Sequence, residues 1–106
     1  MTTIEKDNEV LTLINVFTVE PAKQKKLVDL LIEATEQTMM HLPGFVSANI
    51  HRSFDGKKVI NYAQWESQGA FEAMRRDPEA AEHMRVVARL AKFEPILCAV
   101  EEAIAI

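Results

Sequence analysis

Between residues 10 and 19 the chain alternates Leu11, Leu13, Asn15, Phe17 and Val19 with Val10, Thr12, Ile14, Val16 and Thr18, a β-branched pattern that predicts a strand covered on both faces. Glu20-Pro21 stops it. Pro21 then suits a first helical position, where the missing N–H would be unpaired anyway. Leu27, Leu30, Leu31, Ala34 and Thr38 recur at helical spacing, widened by Val28, Ile32, Thr35 and Met39. They predict a helix of about five turns ending before Pro43. Pro43-Gly44 reads as a turn, residues 45–53 as a second strand, Phe54-Asp55-Gly56-Lys57 as a hairpin connection and residues 59–67 as a third strand. Ser67 is placed to cap a short helix carrying Phe71 and Met74. Asp77-Pro78 is placed to open another carrying Ala81, Met84, Val87 and Ala88, with apolar spacing lasting to Leu90. Residues 93–106 read as a fourth strand, with Pro95 near its start.

The order β-α-β-β-α-β predicts a ferredoxin-like plait, an α+β fold with an antiparallel sheet and helices on one face. The other face is then left open. In the fourth strand Ile96, Cys98 and Val100 alternate with Leu97, Ala99 and Ala103, so both faces are largely apolar and one of them calls for cover. A homodimer in which two sheets pack together is therefore expected, and the apolar tail Ala103-Ile104-Ala105-Ile106 points the same way. One domain spanning residues 1–106, with a polar leader over residues 1–9, accounts for the whole length.

Composition narrows the possibilities further. The chain is 48% hydrophobic and 26% charged, which describes a soluble globular protein. Its net charge is −4 with no block of either sign, which argues against a nucleic-acid partner. No apolar run approaches the roughly 18 residues that cross a bilayer. The N-terminus also lacks a signal-peptide core, so no membrane association and a cytoplasmic location are expected. Cys98 is the single cysteine, which excludes an intrachain disulfide or a thiolate metal cluster. It sits in Ile96-Leu97-Cys98-Ala99-Val100 and reads as a small apolar side chain. His41, His51 and His83 lack the i, i+4 pairing of a zinc motif, so no metal site is expected.

Candidate chemistry lies in the third strand, Val59-Ile60-Asn61-Tyr62-Ala63-Gln64-Trp65. Strand alternation puts Asn61, Ala63 and Trp65 on one face, so an amide and an indole N–H share a largely apolar surface and call for hydrogen-bond partners. Asn15 repeats the pattern in the first strand, among Leu11, Leu13, Phe17 and Val19. If both faces line one cavity, three polar groups converge in an apolar pocket, the usual arrangement for orienting a small ligand. The plain alternatives are a core tryptophan bonded to a carbonyl and asparagines bonded to nearby backbone.

The segments Ile14-Asn15-Val16-Phe17-Thr18-Val19, Pro43-Gly44-Phe45-Val46-Ser47-Ala48, His51-Arg52-Ser53-Phe54-Asp55-Gly56 and Asn61-Tyr62-Ala63-Gln64-Trp65 together resemble the antibiotic biosynthesis monooxygenase superfamily, over residues 11–89. The resemblance implies a dimeric ferredoxin-like α+β barrel. Within the superfamily the chain looks most like the cofactor-free monooxygenases of aromatic polyketide pathways, which use dioxygen to turn a phenolic ring into a quinone. By that resemblance Asn61, Trp65 and Arg85 are the catalytic residues, and a small aromatic substrate and dioxygen are the partners. Asn15, Phe71, His83 and Met84 are the expected substrate contacts. Phe71 stands where those enzymes carry a tyrosine, six residues after the tryptophan.

Two other readings stay open at this point. Haem-degrading members of the superfamily use a strand asparagine, a tryptophan and a helical histidine that ligates iron. Asn15, Trp65 and His83 fall roughly in those places, with Met84 at the ligand register. Equally, His83 beside Arg85 would be placed to abstract a phenol proton. The remaining reading is a non-catalytic dimeric barrel that binds a small molecule.

Overall fold

The computed structural model describes residues 1–106. Its elements run β1 (Leu11–Val19), α1 (Gln24–Gln37), β2 (Phe45–Arg52), β3 (Lys58–Trp65), α2 (Gln68–Arg76), α3 (Pro78–Ala88) and β4 (Ala91–Cys98). The strands form one antiparallel sheet in the order β2-β3-β1-β4, the ferredoxin-like α+β arrangement that the element order predicts. The alternation in β1 decides which face the helices cover. Leu13, Phe17 and Val19 are buried beneath the helices, whereas Ile14 and Val16 on the outer face are half-buried and Thr18 is exposed.

Two apolar clusters fill the space between sheet and helices. One joins Phe17, Val19 and Val59 of the sheet to Leu27 and Leu31 of α1 and Val87 of α3. The other joins Leu13, Ala63 and Trp65 to Phe71 of α2. Capping residues aim the short helices. The Ser67 hydroxyl accepts from the Ala70 N–H at 3.0 Å, and the Asp77 carboxylate accepts from the N–H groups of Glu79 and Ala80 at 3.1 and 3.0 Å. Gly44 adopts φ +85°, and a Cβ there would collide with the Ala70 side chain. Its carbonyl accepts from the Glu66 N–H at 2.7 Å, so this glycine lets α2 come down close beside the start of β2.

Three boundaries differ from expectation. The first helix is not continuous: Pro21–Lys23 forms a 3-10 turn, α1 has 14 residues, and a second 3-10 turn covers Met39–His41. The break falls at Thr38, with φ −129° and ψ −63°, whose buried hydroxyl lies 3.0 Å from His83 Nε2 on α3. The third strand ends at Trp65, because Ser67 is committed to capping α2. The fourth strand begins at Ala91 and stops at Cys98 instead of running from 93 to 106. Cys98 pairs with Thr12, and β1 begins at Leu11, so a single residue of that strand is left for anything after Cys98.

The leader crosses the outer face of the sheet. Asn49 Nδ2 donates to the Thr2 hydroxyl, Gln64 Nε2 donates to the Thr3 carbonyl at 2.8 Å, and Lys6 meets Glu102 of the tail at 3.2 Å. No helix is long and apolar enough to cross a membrane.

Candidate active site

Between the inner face of the sheet and the three helices lies a cavity of about 450 Å³, within the range that holds a drug-sized ligand. The sheet supplies its floor. Asn15 on β1 and Asn61 on β3 are direct cross-strand partners, so both amides enter the cavity side by side. Pro95 of the edge strand β4 stands opposite Asn15 on its other flank and also lines the space. Trp65 lies four residues along β3 from Asn61, on the same face and 2% exposed. Its ring packs edge-on against Phe45, with centroids 5.5 Å apart and planes at 89°.

The amides are polar groups without protein partners. Asn15 Oδ1 and Asn61 Oδ1 are both buried and accept no hydrogen bond. An unsatisfied buried acceptor costs about 1–3 kcal/mol, a cost that a ligand donor relieves. Half a rotation of an amide exchanges its acceptor for its donors, so the pair can meet ligand hydroxyls and ligand oxyanions alike. Thr35 adds no further free donor, since its hydroxyl donates to the Leu31 carbonyl at 2.8 Å.

The helices supply the roof. From α2 come Phe71, Met74 and Arg75, and from α3 come Ala81, Met84, Arg85 and Ala88, each set on one helical face. Phe71 and Met84 therefore lie at the cavity as expected, and so does Arg85. His83 does not. One residue along an α-helix turns the side chain through roughly 100°, which directs His83 away from the cavity and onto Thr38. The base role considered for it has no geometry to act through. The haem reading loses its histidine, which is turned aside onto Thr38 and leaves Met84 at the ligand register.

Arg75 is the charged lining residue that sequence reasoning missed. At the C-terminal end of α2, beside Arg76, it resembles an ordinary cation favoured by the helix dipole. Its spacing of four from Phe71 was the available signal.

A family model described as antibiotic biosynthesis monooxygenase matches residues 10–86. The chain belongs to the antibiotic biosynthesis monooxygenase family. Among relatives, this family member is 45% identical over 100 residues to the tetracenomycin-F1 monooxygenase of Streptomyces glaucescens, an alignment covering 94% of this chain and 89% of that one. Among solved structures, it is 34% identical to a monooxygenase from the gene ActVA-Orf6 of Streptomyces coelicolor in complex with nanaomycin D, with a TM-score of 0.82 and 90% of both chains covered. The fold also matches SnoaB, a cofactor-independent oxygenase from Streptomyces nogalater, at 24% identity and a TM-score of 0.76, covering 90% of this chain and 96% of that one. The family match covers the two strands, β1 and β3, and the parts of the two helices, α2 and α3, that supply Asn15, Asn61, Trp65, Arg75 and Arg85.

Proposed function

We propose that this chain is a cofactor-independent monooxygenase that oxidises a phenolic, polyketide-like aromatic with dioxygen, and that Asn61, Trp65 and Asn15 form its reacting surface. The observation that carries this reading is the pair of unpartnered asparagine oxygens side by side on the floor of an apolar cavity walled by Trp65. The relatives named as a tetracenomycin monooxygenase and a cofactor-independent oxygenase support the substrate class and the lack of a cofactor.

Dioxygen is a triplet and does not combine directly with a closed-shell phenol. An electron-rich phenolate can pass it one electron, and the two radicals then recombine as a peroxide. Loss of water from the peroxide leaves a carbonyl. One oxygen atom enters the product and the other leaves as water, with all four electrons drawn from the substrate. The balance therefore needs no flavin, metal or external reductant.

The protein has to favour the phenolate, hold it and keep water out. No aspartate, glutamate or histidine lines the cavity, so no side chain is in place as a general base. The guanidinium of Arg85 instead lowers the substrate's pKa by favouring its charged form. The asparagine amides and the Trp65 indole N–H then serve as donors to the developing oxyanion and peroxide. Oxygen uptake by metal- and flavin-free protein with dithranol, a dihydroxyanthrone, tests this. Uptake well above that of Trp65→Phe is expected, and equal rates would overturn the role given to Trp65.

The working form in this proposal is a homodimer joined through the outer face of the sheet. Ile96 on β4 is 42% exposed there and adjoins Ile14, which in turn adjoins Tyr62. Sedimentation equilibrium should return twice the chain mass of 12.0 kDa, and Ile96→Glu should halve it. A parent protein that sediments as a monomer would refute the dimer.

A further inference from the structure

The charged lining of the cavity is of one sign, two arginines with no carboxylate among its 22 residues. The two guanidiniums differ in what they have left to give. Arg85 spends Nε and Nη2 on Glu82 Oε2, at 3.0 and 2.6 Å. That hydrogen-bonded pairing holds the Glu82 carboxyl below its ordinary pKa. Arg75 is held differently. Its Nη1 lies 3.7 Å from Glu72 Oε2, an ion pair on the helix surface that is too long for a hydrogen bond. Its Cζ instead lies 5.8 Å from the ring centroid of Phe71, a buried residue of the cavity wall.

A guanidinium seated over an aromatic face is oriented without using its N–H donors. Phe71 provides such a seat, and having no hydroxyl it offers those donors no acceptor. Arg75 therefore stands at the wall of an apolar cavity with no hydrogen bond on its planar fork, the arrangement that suits two parallel hydrogen bonds to a carboxylate. The neutral end of the cavity, at Asn15 and Asn61, lies on the sheet, and the cationic end lies on the helices. A ligand matched to both ends is a hydroxylated aromatic bearing a carboxylate away from its reacting ring.

We infer that Arg75 is a specificity-determining residue that selects an aromatic substrate carrying a carboxylate group, by bidentate hydrogen bonding to that carboxylate. This rests on the reading of the cavity as an aromatic-substrate site. Arg85, tied to Glu82, contributes field but no fork. The selected carboxylate takes no part in the oxidation, so Arg75 acts on affinity and leaves the chemical step to the sheet residues.

Trp65 is the only tryptophan in the chain and lines the cavity, so its fluorescence reports occupancy without turnover. The probes are danthron, a dihydroxyanthraquinone, and rhein, the same quinone with one added carboxyl group. Rhein should bind the parent protein about tenfold more tightly than danthron, as one charge-assisted bidentate contact predicts. In Arg75→Gln that preference should fall to within about twofold, with danthron affinity unchanged. Raising the salt concentration should weaken rhein alone. Equal affinities in the parent would overturn the inference, as would a preference that survives Arg75→Gln or disappears only in Arg85→Gln. If neither quinone quenches Trp65, the aromatic-site reading fails and takes this inference with it.

Discussion

Asn61→Leu should lower the rate of dithranol oxidation about 10²–10³-fold, the usual effect of deleting one donor that faces developing negative charge. The same variant should melt no lower than the parent. Leucine keeps the branching and heavy-atom count of asparagine at the edge of an open cavity, and the amide it replaces carries an acceptor that nothing in the protein satisfies. Removing an unsatisfied buried polar group is neutral or stabilising, so function and stability are expected to move apart. Initial rates of oxygen uptake with a thermal melt on the same preparation decide the matter. Retention of activity within about threefold would show that Asn61 does not face the reacting oxygens.

Leu27→Ala should do the opposite. Leu27 is fully buried on α1 within the cluster formed by Phe17, Val59 and Val87, and it does not line the cavity. Truncation leaves a void where the sheet meets two helices, with an expected cost of about 2–5 kcal/mol. For a domain of this size that is a drop in Tm of roughly 8 °C or more. Because domains are stable by only about 5–15 kcal/mol, the variant should still fold at low temperature. There its turnover number should stay near that of the parent, since Leu27 is not among the residues that line the cavity. A Tm within about 2 °C of the parent would mean that the cluster repacks without a void.

Much of this architecture was legible in the chain because strand alternation and helical spacing are local properties. The common face of Asn61, Ala63 and Trp65 follows from a period of two, and the same period brings Asn15 onto the matching face of β1. What could not be read locally was how the strands end. Residues 99–106 are as apolar as a strand, but strand status depends on a partner, and β1 has already begun by the time β4 reaches Cys98. Helix rotation was the other limit. His83 and Met84 are neighbours in sequence, yet only the second reaches the cavity, because tertiary packing sets the angle of α3. Arg75 escaped notice for the same reason. Its chemistry depends on standing over Phe71, and its immediate neighbours suggest only a solvated helix end.

The division of the cavity between a sheet floor and a helical roof has an evolutionary corollary. The Asn15 and Asn61 amides sit on two central strands locked in register, where an insertion or deletion of one residue would turn the following side chains to the opposite face. Such lineages should be eliminated outright. α2 and α3 are short, separately capped and joined only at Asp77, so substitutions along them alter one wall without disturbing the ladder. Descendants of this fold can therefore diversify in what they admit while the reacting surface is inherited intact.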